Sequence, residues 1–127
     1  MSTLAVGTIK SVSSAGPVFQ NTSGTEMGTL CRAWVNFNGT STVAIRDSFN
    51  VSSITDVNTG TYTANFATAF SDNDYAASVA GGHESNSSVP RGFETLYNYQ
   101  TGSVKFDFRN ESGSEVDPEV CCLIVQR

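Results

Sequence analysis

Apolar and polar side chains alternate with a period of two through most of the chain beyond Leu30. That is the period of a β-strand with one buried and one wet face. In residues 30–54 it predicts a hairpin. Cys31, Ala33, Val35 and Phe37 share one face, and Arg32, Trp34, Asn36 and Asn38 share the other. Asn38, Gly39, Thr40 and Ser41 form the turn, with the Asn-Gly pair supplying the positive φ that a tight turn needs. Val43 and Ile45 restart the strand, and residues 48–54 continue it with Phe49 and Val51 on one side.

After a turn at residues 56–60, Tyr62, Ala64, Phe66, Thr68 and Phe70 fall on one face in the cleanest alternation of the chain. Residues 75–80 return as a strand, and residues 81–92 (GGHESNSSVPRG) read as an exposed loop on composition. Residues 93–99 and 103–110 predict two strands about a Gln100-Thr101-Gly102 turn. In the second, Val104, Phe106 and Phe108 alternate with Lys105, Asp107 and Arg109. Residues 120–125 (VCCLIV) are apolar on both faces, the pattern of a central strand or of one covered by a partner.

No helical period of useful length emerges, and turn signals recur about every ten residues, as in an all-β sandwich or barrel. Of these, the expected fold is an antiparallel, jelly-roll-like β-sandwich over residues 30–127. Residues 1–29 hold too few apolar groups for a core of their own. They predict an N-terminal arm whose short strands add to another surface, in oligomer or particle attachment. Val18 and Phe19 of the arm, with Trp34, Leu123 and Val125, are the candidate assembly residues.

Composition narrows the function. Charged residues make up 15% of the chain, against roughly 25% in ordinary soluble proteins, so its polarity rests on Ser, Thr, Asn and Gly. A net charge of -5 with only seven Lys and Arg argues against nucleic-acid binding, which needs clustered cations. No apolar run is long enough for a membrane span, and the first residues lack the features of a secretory signal. Cys31, Cys121 and Cys122 are odd in number and read as reduced thiols. The Asn-x-Ser/Thr triplets at Asn38, Asn50 and Asn110 then read as turn chemistry.

Candidate chemistry is sparse. His83, the single histidine, has Glu84 beside it but no orienting partner or nucleophile in sequence. One histidine and one cysteine pair do not make a zinc site. Asp72 and Asp74 could hold calcium, but an Asx-stabilised turn accounts for them more simply. Trp34, Tyr97 and Tyr99 offer rings for stacking on sugars, or for filling a core. No catalytic, cofactor or metal residues are assigned. Binding is expected on the polar loop, at His83, Glu84, Ser85, Asn86 and Arg91.

The runs RAWVNFNGT (32–40), VAIRDSFNVSSITD (43–56) and GTYTANFATAFSDNDYA (60–76) resemble a module of tailed-bacteriophage structural proteins. They are most similar to tail-fibre-like proteins of phages that infect marine bacteria and cyanobacteria. The resemblance implies a non-enzymatic virion component, made in the host cytoplasm, that assembles as a homotrimer. It contacts other virion proteins through residues 1–29 and the host surface, a glycan included, through its loops. A capsid decoration or tail attachment protein docking by its arm is the alternative. A carbohydrate-active enzyme is a distant third, since no carboxylate pair stands out.

Overall fold

A computed structural model of the chain describes residues 5–10, 18–28, 30–83 and 92–127. Its described residues form ten strands: β1 (Phe19–Gln20), β2 (Glu26–Gly28), β3 (Cys31–Asn38), β4 (Ala44–Phe49), β5 (Val51–Asn58), β6 (Thr61–Phe66), β7 (Ala76–Gly82), β8 (Gly92–Gln100), β9 (Ser103–Asn110) and β10 (Val120–Gln126). The chain divides into two units, Met1–Leu30 and Cys31–Arg127.

The first unit is a small antiparallel ribbon, β1 with β2. Its turn is set by Asn21, whose Oδ1 accepts the N–H groups of Ser23 at 3.0 Å and Thr25 at 2.9 Å. Gly24 takes the positive φ. Among the described residues of this unit the apolar side chains, Val6, Ile9, Val18, Phe19 and Met27 included, are exposed.

The second unit is a β-sandwich. One sheet has the order β4-β3-β10-β7 and the other β5-β6-β9-β8, with every pair antiparallel. Pairs β3–β4, β5–β6 and β8–β9 are hairpins within one sheet, while the chain changes sheet after β4, β6, β7 and β9. This order defines the topology more closely than the jelly-roll-like expectation did.

The alternation read from sequence fills the space between the sheets. Ala33, Val35 and Phe37 of β3 and Cys121, Leu123 and Val125 of β10 face Tyr62 and Ala64 of β6 and Val104, Phe106 and Phe108 of β9, all nearly inaccessible to water. Phe37 meets Tyr62 edge-on at 5.1 Å between ring centroids, a geometry aromatic quadrupoles favour. A second aromatic cluster, Phe66, Phe70 and Tyr75, closes the far end, with Tyr99 packed at a tilt against Tyr75 at 5.2 Å.

Several sequence expectations change. Leu123 and Val125 belong to the domain's own core and cannot make assembly contacts. Alternation does not say which face of an all-apolar strand turns inward, and it is Ile124, 49% exposed, that faces out. Phe49 and Val51 do not share a face: Asn50, at φ 54°, ends β4 and swings the chain into the other sheet, leaving Phe49 exposed and Val51 buried. The Asn50 side chain holds this corner, donating to the Arg32 and Thr68 carbonyls and accepting from the Thr68 N–H.

The Asn38-Gly39 pair does not supply positive φ; Ser41 does, at 60°. Asn38 instead knots the loop through its side chain, donating to the Thr40 carbonyl at 2.7 Å and accepting from the Thr40 hydroxyl at 2.9 Å. Asp107, placed on the wet face by alternation, is buried under Arg109, whose Nη2 donates to Asp107 Oδ2 at 2.9 Å. Period two cannot register an ion pair that covers its own strand.

Candidate functional site

The glycines at the end of β7 and the start of β8 line a cleft between the edge strands of the two sheets. Gly81, Gly82 and Gly92 line it together with Phe93 and Glu94 of β8 and Phe108 and Arg109 of β9. Glu111, Val116 and Pro118 of the following segment complete the lining, and the cavity measures about 570 Å³. Its depth depends on the missing side chain of Gly81. A Cβ there would stand 2.8 Å from the Phe108 ring and 3.0 Å from Pro118 Cγ.

The cleft pairs an apolar wall with fixed charge. Phe93 is 54% exposed, an aromatic face presented to solvent. Glu94 Oε1 accepts the Gly81 N–H at 3.3 Å, tying the edge of one sheet to the other. The Arg109 guanidinium is clamped by Asp107, by Glu115 Oε1 at 3.1 Å and by the Gly113 carbonyl at 3.3 Å. Hydrogen bonding to Asp107, and the charges of Asp107 and Glu115, raise its affinity for its proton further. The clamp makes Arg109 a positioned donor instead of a mobile one.

Among the sequence-predicted residues, His83 sits at the rim of this end with its Nδ1 3.4 Å from Glu119 Oε2. Its neighbour in space is therefore Glu119, thirty-six residues on in sequence terms, and no periodicity would have paired them. Glu84, Ser85, Asn86 and Arg91 lie outside the described residues. Phe93, Glu94 and Arg109 were not singled out from sequence as binding residues. Each looked like one half of an alternating strand pattern, and only the folded arrangement of β7, β8 and β9 gives them a common space.

The three rings considered for sugar stacking are not together. Trp34 lies half-buried on the outer face of β3, opposite Phe49 of β4 and Ile124 of β10. Tyr97 lies under the Lys105 ammonium at 5.5 Å, and Tyr99 packs on Tyr75. Trp34, expected within the domain or between subunits, is thus outside the sandwich core.

At the opposite edge, Asp72 forms the Asx turn: its Oδ1 accepts the Asp74 N–H at 3.0 Å and its Oδ2 bonds the Arg127 guanidinium. The Asp74 N–H, with Arg127 adding to it, holds the Asp72 carboxyl below the ordinary carboxylate range. Asn110, of an Asn-x-Ser triplet, shapes a turn as well, its Oδ1 accepting the Ser112 and Ser114 N–H groups at 3.0 and 2.9 Å. No group of three or more His, Cys, Asp or Glu able to hold a metal ion occurs among the described residues. No family model, curated protein or solved structure matches the chain.

Proposed function

We propose that this chain is a non-enzymatic structural protein of a tailed-phage virion, of the tail-fibre or fibre-tip type, that attaches to a glycan of the host surface. The observation that carries the reading is the cleft at the β7–β8 end. There an exposed Phe93 ring stands with Glu94, Glu111 and the clamped Arg109 around about 570 Å³. Pyranose rings present apolar C–H faces to an aromatic ring, and their hydroxyls donate to carboxylates and accept from guanidinium. Gly81, Gly82 and Gly92, the first and last glycines of the stretch read from composition as the polar loop (81–92), line this same cleft, and loops are where binding specificity is expected.

The test is adsorption. Purified protein binds susceptible cells and competes with the phage, while Phe93→Ala keeps the fold and loses both properties. A correctly folded parent protein that neither adsorbs nor competes overturns the reading.

The second reading, a capsid decoration or tail attachment protein, rests on the arm. Val6, Ile9, Val18, Phe19 and Met27 are exposed there, between 44% and 70%, which suits burial against a partner. Deleting residues 1–29 then leaves a folded sandwich that no longer joins the particle. Normal incorporation of the truncated chain removes this reading.

A further inference from the structure

Among the described residues that line the β7–β8 cleft, the charged side chains are Arg109, Glu94 and Glu111. Which ligand charge they favour depends on how much of the Arg109 guanidinium is left to bind one. A guanidinium has five N–H donors in a planar fork. At Arg109 the protein itself engages four. Nε and Nη2 donate to Asp107 Oδ2 at 3.3 and 2.9 Å, Nη2 also to Glu115 Oε1 at 3.1 Å, and Nη1 to the Gly113 carbonyl at 3.3 Å. These contacts leave one N–H, on Nη1. A carboxylate or phosphate is gripped by arginine through two parallel N–H groups, and this fork has a single one to give.

Charge opposes an acidic ligand as well. Asp107 and Glu115 set two negative charges against the one on Arg109, so the clamp as a whole is anionic. Glu94 and Glu111, both exposed, add two more at the lining.

We infer that the cleft selects a sugar with a free ammonium, an unacetylated amino sugar, and discriminates against uronates and phosphorylated sugars. This rests on the glycan-attachment reading and names the ligand class for the same site. An ammonium has three donors and no acceptor, which matches a lining whose exposed side-chain acceptors are carboxylates. Glu94 and Glu111 attract its charge, and so does the π face of the exposed Phe93 ring. Glu94 is oriented in advance, since its Oε1 accepts the Gly81 N–H at 3.3 Å. A side chain already held loses less entropy when a ligand arrives. The remaining Nη1–H of Arg109 suits a ring hydroxyl, which accepts one hydrogen bond without carrying charge.

N-acetylation replaces the ammonium by a neutral amide on the same ring, and so separates charge from ring shape. Calorimetric titration of the full chain uses three matched ligands: an oligomer of glucosamine or galactosamine, the same oligomer fully N-acetylated, and an oligouronate of equal length. The amine form is expected to bind about fivefold tighter than the acetylated form, with the uronate weakest. Added salt is expected to narrow the first gap. Glu111→Gln should weaken binding of the amine form and leave the acetylated form unchanged, while Phe93→Ala should weaken both. An acetylated form that binds as tightly as the amine, or a uronate that binds tightest, overturns the inference and leaves glycan attachment standing. An amine preference unchanged in Glu111→Gln also overturns it. So does the absence of binding by every oligomer, and adsorption of the same preparation to susceptible cells then decides whether the attachment reading falls too.

Discussion

The hydroxyl of Tyr62 donates to Asp117 Oδ1 at 2.7 Å, and the same oxygen accepts the Gly60 N–H at 2.6 Å. Tyr62 Oη also lies 3.0 Å from the Gly39 carbonyl. One buried phenol thus gathers the β3–β4 loop, the β5–β6 turn and the segment that leads into β10. Tyr62→Phe keeps the ring in the core and removes the hub. The expected loss is about 1–3 kcal/mol, the cost of leaving buried acceptors short of a donor. It is read as a lower urea midpoint at unchanged slope.

Stability should fall in alkali. Burial, with Asp117 adding to it, raises the Tyr62 phenol far above its ordinary value, and burial pushes Tyr75 up to about 12. In the unfolded chain both titrate near 10, so above that pH the unfolded state loses protons that the native state keeps. The stabilisation is complete below about pH 10 and is lost as pH rises through the folded values, at up to about 1.4 kcal/mol per pH unit for each group. Denaturant midpoints measured from pH 8 to 12 should decline, and Tyr62→Phe should decline less steeply. A flat profile would contradict the burial of both phenols.

Gly39→Ala should be costly although Gly39 has no positive φ. A Cβ at this position would stand 2.7 Å from the Pro118 carbonyl and from Tyr62 Oη, and 2.9 Å from Cys121 Sγ. Overpacking of this kind costs about 1–3 kcal/mol. Gly102→Ala, where a Cβ meets nothing within 4 Å, is the comparison and should leave the thermal midpoint nearly unchanged.

Thiol labelling should separate the three cysteines. Cys121 is inaccessible, and burial, with the Cys122 and Asp117 charges adding to it, pushes its thiol up to about 12. Cys31 is exposed and Cys122 half-buried. A maleimide at neutral pH is expected to modify Cys31 first and Cys121 only on unfolding. Rapid native labelling of Cys121 would show that β10 opens far more easily than a central strand should.

The sandwich was legible because its strands carry one wet and one dry face, as Val104, Phe106 and Phe108 show against Lys105 and Arg109. The failures fall where a side chain acts through space. Asn50 turns a strand into a corner by three side-chain hydrogen bonds, and an apolar pattern running through Phe49 and Val51 carries no mark of that. Strand β6 stops at Phe66, yet Phe70 is still buried, because the loop carries it back against Tyr75. The cleft was not legible at all. Its glycines read as loop composition, and its polar groups, Glu94 and Arg109 of the β8–β9 hairpin and Glu111 just after it, read as ordinary wet-face positions.

β10 lies between β3 and β7, contributing Cys121, Leu123 and Val125 to the core, yet it follows both of them along the chain. Until it arrives, the first sheet consists of a β3–β4 hairpin and a lone β7, each with an unfilled seam. Closing that seam joins residues as far apart as Ala33 and Val125, a long-range pairing that slows folding. In a growing chain, β3 must wait with an open apolar edge for a strand not yet made, and during synthesis that seam is where a second chain could be captured in place of the chain's own strand.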